Sequence, residues 1–205
     1  MNMESVDSQD RARIERVAAA LEQRGVHVLF VSDRQAALAQ VLELIPPGTS
    51  VAHGASTSLR EIGLIDYLGR PDSPYRYLNS QWQAENDAAQ RTRSRALLSV
   101  QADCFLGSVQ AITDSGQVVS VDATGSRSAF YMYGPPHVIW VAGINKLVAT
   151  LDDAVRRVRE VAFPLEDQRM RQTGASGSSI GKMVIFERER PGRTTLILVG
   201  EPLGF

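Results

Sequence analysis

The chain has 205 residues, and 22 Lys or Arg against 23 Asp or Glu give a formal net charge of −1, which excludes the basic balance typical of a nucleic-acid binder. The single cysteine, Cys104, excludes an internal disulfide and any metal site built from several thiolates. No apolar run approaches the roughly 20 residues of a membrane span, so we expect a cytoplasmic protein without one.

The first third of the chain alternates between helical and strand patterns. Apolar residues at a spacing of three and four predict helices over residues 14–21, 38–45 and 58–68. The second of these follows a capping pattern that begins at Ser32. Short apolar runs predict buried strands over residues 27–31 and 49–52. Strands that alternate with helices indicate βαβ units around a mostly parallel sheet.

The centre of the chain interrupts this alternation. After a polar helix over residues 83–100 and a strand over residues 104–109, two apolar segments flank Asp114-Ser115-Gly116. A turn of this composition is typical of a tight hairpin. We therefore predict an antiparallel hairpin inserted into a Rossmann-like, three-layer α/β sandwich.

The last third predicts a strand over residues 138–142, and then a helix that Thr150 caps and Pro164 ends. Residues 173–181 are rich in Gly and Ser and predict a mobile loop. Residues 182–188 and 194–200 predict a terminal pair of strands. We expect a flexible segment over residues 1–9 and a single domain over residues 10–205.

Small and polar residues follow the strand that ends near Ala52. They run from His53 and Gly54 to Ser56, Thr57 and Ser58. Such a loop at the carboxyl end of a strand offers N–H groups and hydroxyls to an anion. The alternative is a tight turn in which Ser58 caps a helix, with Glu61 as its partner. His53 is either a general acid or base or a structural histidine.

A second group follows the hairpin and contains Asp122, Thr124, Gly125 and Arg127. The Arg127 guanidinium is suited to gripping a carboxylate or phosphate with two hydrogen bonds. An Asp122–Arg127 ion pair that closes the loop explains the same residues.

A third group, Asn145 and Lys146, follows the strand over residues 138–142. Both side chains suit an anion or carbonyl, and a lysine whose pKa burial lowers can act as a nucleophile. The alternative is a solvated surface lysine. Arg91, Arg93 and Arg95 are interpreted as a solvated helix face and Cys104 as a buried apolar residue.

Taken in order, these groups resemble the lactate-utilisation (LUD) domain family. The similar blocks are residues 52–63, 111–116, 121–127, 143–148 and 199–205. The resemblance implies a fold like that of the phosphosugar isomerases and CoA transferases (NagB/RpiA/CoA-transferase-like), with the three groups around one cleft.

Members of this family are linked to the oxidation of L-lactate to pyruvate, alongside iron–sulfur subunits and other LUD-type subunits. Many small members carry a cysteine-rich stretch before the last strands. Here residues 172–182 contain no cysteine, so no cofactor is expected, and an iron–sulfur cluster is not expected with Cys104 alone.

Three functions remain open on this basis. The first is an accessory subunit of a lactate-oxidising system that binds a small anion through the three groups. The second is a free-standing isomerase, CoA transferase or cyclo-ligase, in which Glu61 or Glu201 is the candidate for a glutamyl intermediate. The third is an interaction module without catalysis. Whether the chain is an enzyme is left undecided.

Overall fold

The alternating patterns of the sequence fold into two sheets with helices packed against them. The computed structural model describes residues 8–205, so most of the segment expected to be flexible, residues 1–9, lies outside the described residues. The helices are α1 (Ser8–Gln23), α2 (Arg34–Leu44), α3 (Thr57–Glu61), α4 (Leu64–Leu68), α5 (Leu78–Gln83), α6 (Ala88–Gln101), α7 (Ser128–Met132), α8 (Leu151–Arg157) and α9 (Phe163–Gln172). The strands are β1 (Val26–Val31), β2 (Ser50–His53), β3 (Arg76–Tyr77), β4 (Cys104–Gly107), β5 (Ala111–Thr113), β6 (Val118–Asp122), β7 (His137–Gly143), β8 (Leu147–Val148), β9 (Lys182–Phe186) and β10 (Thr194–Val199).

The larger sheet is parallel throughout, with the strand order β1-β10-β7-β4-β2-β3. Successive side chains of a strand face opposite sides of the sheet, so each inner strand supplies two cores. In β10, Leu196 and Leu198 pack into the core shared with α1, α5 and α7. Ile197 and Val199 pack into the core shared with α2, α3 and α4. The predicted three-layer, Rossmann-like α/β fold is confirmed.

The second sheet has the order β8-β5-β6-β9 and contains the predicted hairpin. Strands β5 and β6 pair antiparallel, and Gly116 adopts the positive φ of 83° that their tight turn requires. Ala111 and Val119 of this hairpin pack against Ala154 of α8 and against Val158, which follows it. The inserted hairpin is therefore the centre of a separate layer, with its own small apolar core.

The two predicted closing strands both form, but they do not pair with each other. Strand β9 pairs antiparallel with β6 in the second sheet, whereas β10 lies between β1 and β7 in the first. Neighbours in sequence are separated here because each strand finds a partner more than fifty residues away. The C-terminal segment thus ties the two sheets together.

Helix boundaries also differ from the pattern-based ones. The predicted helix over residues 83–100 starts later, at Ala88, because the Asp87 carboxylate accepts the Gln90 N–H and caps α6. Helix α5, which ends at Gln83, is a separate helix before it. Pro164 does not end the last predicted helix. Residues Val158–Ala162 form a π-helical turn in which the Phe163 N–H donates to the Val158 carbonyl, and α9 continues from it. No helix within residues 8–205 is both long and apolar enough to cross a membrane.

Candidate functional site

A cleft of about 510 Å³ opens at the carboxyl ends of β2, β4 and β7, where ligands bind in open α/β sheets. One wall comes from the first turn of α3, from Ser108 after β4 and from Lys146 in the turn after β7. The loop after β6 forms the next wall. The π-helical turn, α9 and the Gly/Ser-rich residues 176–179 close the opposite side. This volume is typical of a small-molecule site.

Lys146 lines the cleft although it is only 1% exposed. Its Nζ donates to Ser108 Oγ at 2.8 Å and to Ser58 Oγ at 3.0 Å. Burial, with the nearby positive charges of Arg157 and Arg127, lowers the pKa of Lys146 to about 7. In a substantial fraction of the molecules, the Lys146 side chain is therefore an uncharged amine at neutral pH.

Helix α3 is capped by Ser56, whose hydroxyl accepts the Leu59 N–H at 3.2 Å. The interpretation of Ser58 as the capping residue is therefore wrong. Ser58 lies two residues further on, inside the first turn, where its side chain is buried against Lys146. One helix start thus supplies both a capping hydroxyl and a cleft hydroxyl.

The Asp122 carboxylate organises the loop after β6. It accepts the N–H groups of Gly125, Arg127 and Ser128 at 3.2, 2.9 and 3.1 Å. Burial opposes ionisation, but the charge of Arg127 and these three donors outweigh it, so the pKa of Asp122 is lowered. The ion pair with Arg127 is long, at 3.9 Å between Nε and Oδ2.

Arg127 connects the two loops that line the cleft. Its guanidinium donates to the Ala55 carbonyl at 2.9 Å and also to the Val121 carbonyl. The side chain is 13% exposed. Arg127 therefore holds backbone on both sides of the cleft, through two of its five N–H groups.

The cleft walls carry more unpaired positive than negative charge. Glu166 and Arg169 of α9 neutralise each other through two hydrogen bonds of 2.8 and 2.7 Å. Arg95 of α6 also lines the cleft, where burial lowers its pKa and Asp122 acts on it electrostatically. Within the part of the chain that the structure describes, Arg95 forms no ion pair or hydrogen bond. It is therefore available to an anion.

Four of the predicted site residues lie outside the cleft lining: His53, Gly54, Gly125 and Asn145. His53 Nδ1 donates to the Gly54 carbonyl at 2.8 Å, and burial lowers the pKa of the ring, so Nε2 accepts from the Tyr77 hydroxyl at 2.7 Å. The arrangement supports the structural interpretation of His53.

Of the other three, Gly125 lies in the loop that Asp122 organises, and Gly54 and Asn145 support the walls. Gly54 lies directly against the aliphatic part of Arg127. Asn145 holds the C-terminal segment, since its amide donates to the Gly204 carbonyl and accepts the Leu203 N–H. The remaining predicted residues do line the cleft: Ser56, Thr57, Asp122, Thr124, Arg127 and Lys146.

The LUD domain family model matches residues 14–199, which is most of the chain. The chain belongs to the LUD domain family. A solved structure of a DUF162 family protein from Deinococcus radiodurans is similar to this LUD domain with a TM-score of 0.52 and 13% identity. The match covers 93% of this chain and 98% of that one, and at this identity it supports the fold alone. No curated protein matches the chain.

The two glutamates of this LUD domain that were considered for a glutamyl intermediate, Glu61 and Glu201, lie outside the cleft lining. The Glu61 carboxylate accepts the Gly204 N–H at 2.8 Å, and Glu201 accepts the Arg34 N–H and pairs with its guanidinium. Neither glutamate therefore stands where a glutamyl intermediate would form in this cleft.

The residues present do not fit an iron–sulfur cluster, which requires several thiolates. Cys104 is the single cysteine of the sequence, and it is buried in β4, where burial raises the pKa of its thiol to about 12. Among residues 8–205, no three His, Cys, Asp or Glu side chains are gathered as a metal site would need.

Ser108 and Arg95 are among the cleft residues that the sequence analysis did not assign to a site. Ser108 was included in a predicted strand, but β4 ends one residue before it. Arg95 was assigned to a solvated face with Arg91 and Arg93, because charged residues at every second position do not show which face of a helix is buried. Leu98, three residues after Arg95, is apolar and lies on the same face of the helix, and this spacing could have indicated that Arg95 faces inward.

Proposed function

We propose that this LUD domain binds a small carboxylate in its cleft and acts as the ligand-binding, accessory subunit of a cytoplasmic system that oxidises L-lactate to pyruvate. The observation that carries the proposal is Arg95, a partly buried guanidinium that lines the cleft without an ion pair among the described residues. A buried cation without a partner is costly, and a ligand carboxylate would remove that cost.

The surroundings of Arg95 suit a hydroxy or keto acid. Arg and carboxylate form paired, charge-assisted hydrogen bonds. The hydroxyls of Thr57, Ser58 and Ser108 line the same cleft and can donate to or accept from the second oxygen function of such an acid. Asp122 is held in its ionised form on the same wall, which disfavours ligands that carry a second negative charge at that end.

Oxidation of lactate to pyruvate removes two electrons and two protons, so it needs an electron acceptor. Relatives within the family are linked to systems in which iron–sulfur and other LUD-type subunits work together. We propose that such partners accept the electrons and that this chain contributes the recognition of the acid.

The test is the binding of L-lactate and pyruvate by isothermal titration calorimetry to the wild-type protein and to Arg95→Gln. Loss of a charged hydrogen bond predicts roughly 10- to 100-fold weaker binding. Arg93→Gln is the matched control, since Arg93 lies on the same helix and is exposed. Equal affinities of Arg95→Gln and the wild type, or no binding of either acid by the wild type, would contradict the proposal.

A further inference from the structure

Three side chains from separate parts of the chain meet at the base of the cleft. Lys146 Nζ lies 2.8 Å from Ser108 Oγ and 3.0 Å from Ser58 Oγ, and the two hydroxyl oxygens are 3.1 Å apart. Ser108 follows β4, Lys146 follows β7, and Ser58 lies in the first turn of α3. The three residues are buried in the protein but line the cleft.

Structural needs do not explain this lysine. A buried ammonium is normally paired with a carboxylate, yet Lys146 has no carboxylate within ion-pair distance among residues 8–205. Its partners are two hydroxyls, which cannot neutralise it. An apolar side chain of similar length would fill the space without the cost of desolvation. Costly buried groups of this kind are concentrated at functional sites.

The hydrogen bonds give the direction in which a proton would move. The Ser58 hydroxyl donates to Ser108 Oγ at 3.1 Å and has the Leu203 carbonyl at 3.4 Å as a longer alternative acceptor. The Ser108 hydroxyl reaches the Val109 carbonyl only at 3.5 Å, whereas Lys146 Nζ lies 2.8 Å away and accepts from it when the amine is uncharged. The Ser108 backbone is held in place by the Tyr131 hydroxyl, which donates to its carbonyl at 3.0 Å. A hydroxyl that donates to a neutral amine is the arrangement of an activated nucleophile.

We propose that Ser108 is the nucleophile of an acyl-transfer reaction, that Lys146 is its general base, and that Ser58 is a positioning residue that donates to Ser108 Oγ. The substrate class is a carboxylic ester or thioester. An anionic group on that substrate, held by Arg95, is the one part of the inference that rests on the proposed function.

The reaction balances with water as the second reactant. Ser108 Oγ bonds to the carbonyl carbon while its proton moves to Lys146 Nζ. The bond from the carbonyl carbon to the leaving oxygen or sulfur breaks, and the leaving group takes the proton from Nζ. Water then attacks the acyl-serine, its proton passes through Nζ to Ser108 Oγ as the ester bond breaks, and the free acid leaves.

The test uses an uncharged alkyl fluorophosphonate on the whole protein. Ser108 Oγ forms a bond to phosphorus, fluoride leaves, and Lys146 takes the proton. We expect one adduct per chain, mapped by peptide mass spectrometry to Ser108, with a rate that rises as the pH increases through about 7. No adduct on the folded protein, an adduct on Lys146 or on another serine, or a rate independent of pH would each overturn the proposal.

Variants separate the roles of the three residues. Ser108→Ala is expected to abolish the adduct, and Lys146→Met to slow its formation by about 100-fold or more. Ser80→Ala, at an exposed serine outside the cleft lining, is the matched control and is expected to react like the wild type. If Lys146→Met does not fold, the pH profile of the wild type still decides the role of the base.

Ser58→Ala is expected to slow adduct formation and to move the midpoint of the pH profile to lower pH, because the ammonium loses an acceptor that stabilises its charged form. An unchanged midpoint would overturn the positioning role.

The fluorophosphonate carries no charge, so its reaction does not require an anion site. Intact labelling without lactate binding would remove the proposed function alone, and lactate binding without labelling would remove this inference alone.

Discussion

Lys146 makes the stability of the protein depend on pH in a direction that can be measured. Its pKa falls from 10.5 in the unfolded chain to about 7 in the folded protein. Between these values the folded lysine is uncharged and the unfolded one is protonated, so the unfolded state binds more protons. Stability therefore rises with pH over this window. Below about pH 7 the lysine is protonated in both states, so it makes no further contribution to the pH dependence.

The magnitude follows from the difference between the two pKa values. A proton bound only by the unfolded state changes the free energy of unfolding by about 1.4 kcal/mol per pH unit. From pH 7.5 to 9.5, within this window, the wild type is expected to gain about 2.5 kcal/mol relative to Lys146→Met. The variant keeps a side chain of similar length but has no group that titrates.

The assay is urea-induced unfolding at each pH, followed by the fluorescence of the buried Trp82 and Trp140. Subtraction of the Lys146→Met values removes the contributions of all other titrating groups. Lys182→Met, at an exposed lysine, is the control and is expected to parallel the wild type. A difference between wild type and Lys146→Met that changes by less than about 1 kcal/mol over this range would refute the reasoning.

Two further predictions concern the frame around the cleft. A Cβ at Gly107 would lie 1.7 Å from the Tyr131 hydroxyl oxygen. Gly107→Ala is therefore expected to displace that hydroxyl from the Ser108 carbonyl and to cost about 1–3 kcal/mol of stability in urea unfolding. A variant as stable as the wild type would show that the hydroxyl is not held there. The buried Arg193 donates to three backbone carbonyls and pairs at 2.6 Å with Glu189, whose side chain is 13% exposed. Arg193→Ala is expected to cost about 3–5 kcal/mol, because it leaves three carbonyls without their donor and a largely covered carboxylate without its ion-pair partner. A loss below about 1 kcal/mol by the same assay would contradict this.

Local patterns predicted much of the fold because most elements are decided by their own residues. The stripe of Ile14, Val17 and Leu21 in α1 is fully buried, as its helical spacing indicates. The predicted hairpin forms around its Asp-Ser-Gly turn. The capping residues of the helices were harder to predict. Asp33 caps α2, although Ser32 beside it is also able to cap. Adjacent capping residues compete, and sequence alone does not decide between them.

The site could be predicted only in parts. Its loops were recognised because small and polar residues follow buried strands. The meeting of Ser58, Ser108 and Lys146 depends on the order of β2, β4 and β7 in the sheet, and strand order is set by contacts between distant segments. His53 is a different case, since its place at a strand end left both a catalytic and a structural role open. Its hydrogen-bond partners, Tyr77 and Gly54, lie outside the cleft lining and favour the structural role.

The π-helical turn at Val158–Ala162 has a consequence for the rotational phase of α9. A helix rotates by about 100° per residue, so the one extra residue of a π turn rotates everything that follows it by about that angle. Glu166, Arg169 and Met170 line the cleft in the present phase. Removal of a single residue from the turn would rotate α9 about its axis, so different side chains of α9 would face the cleft. The chemistry of this wall therefore depends on how many residues the π-helical turn contains, as well as on which residues α9 contains.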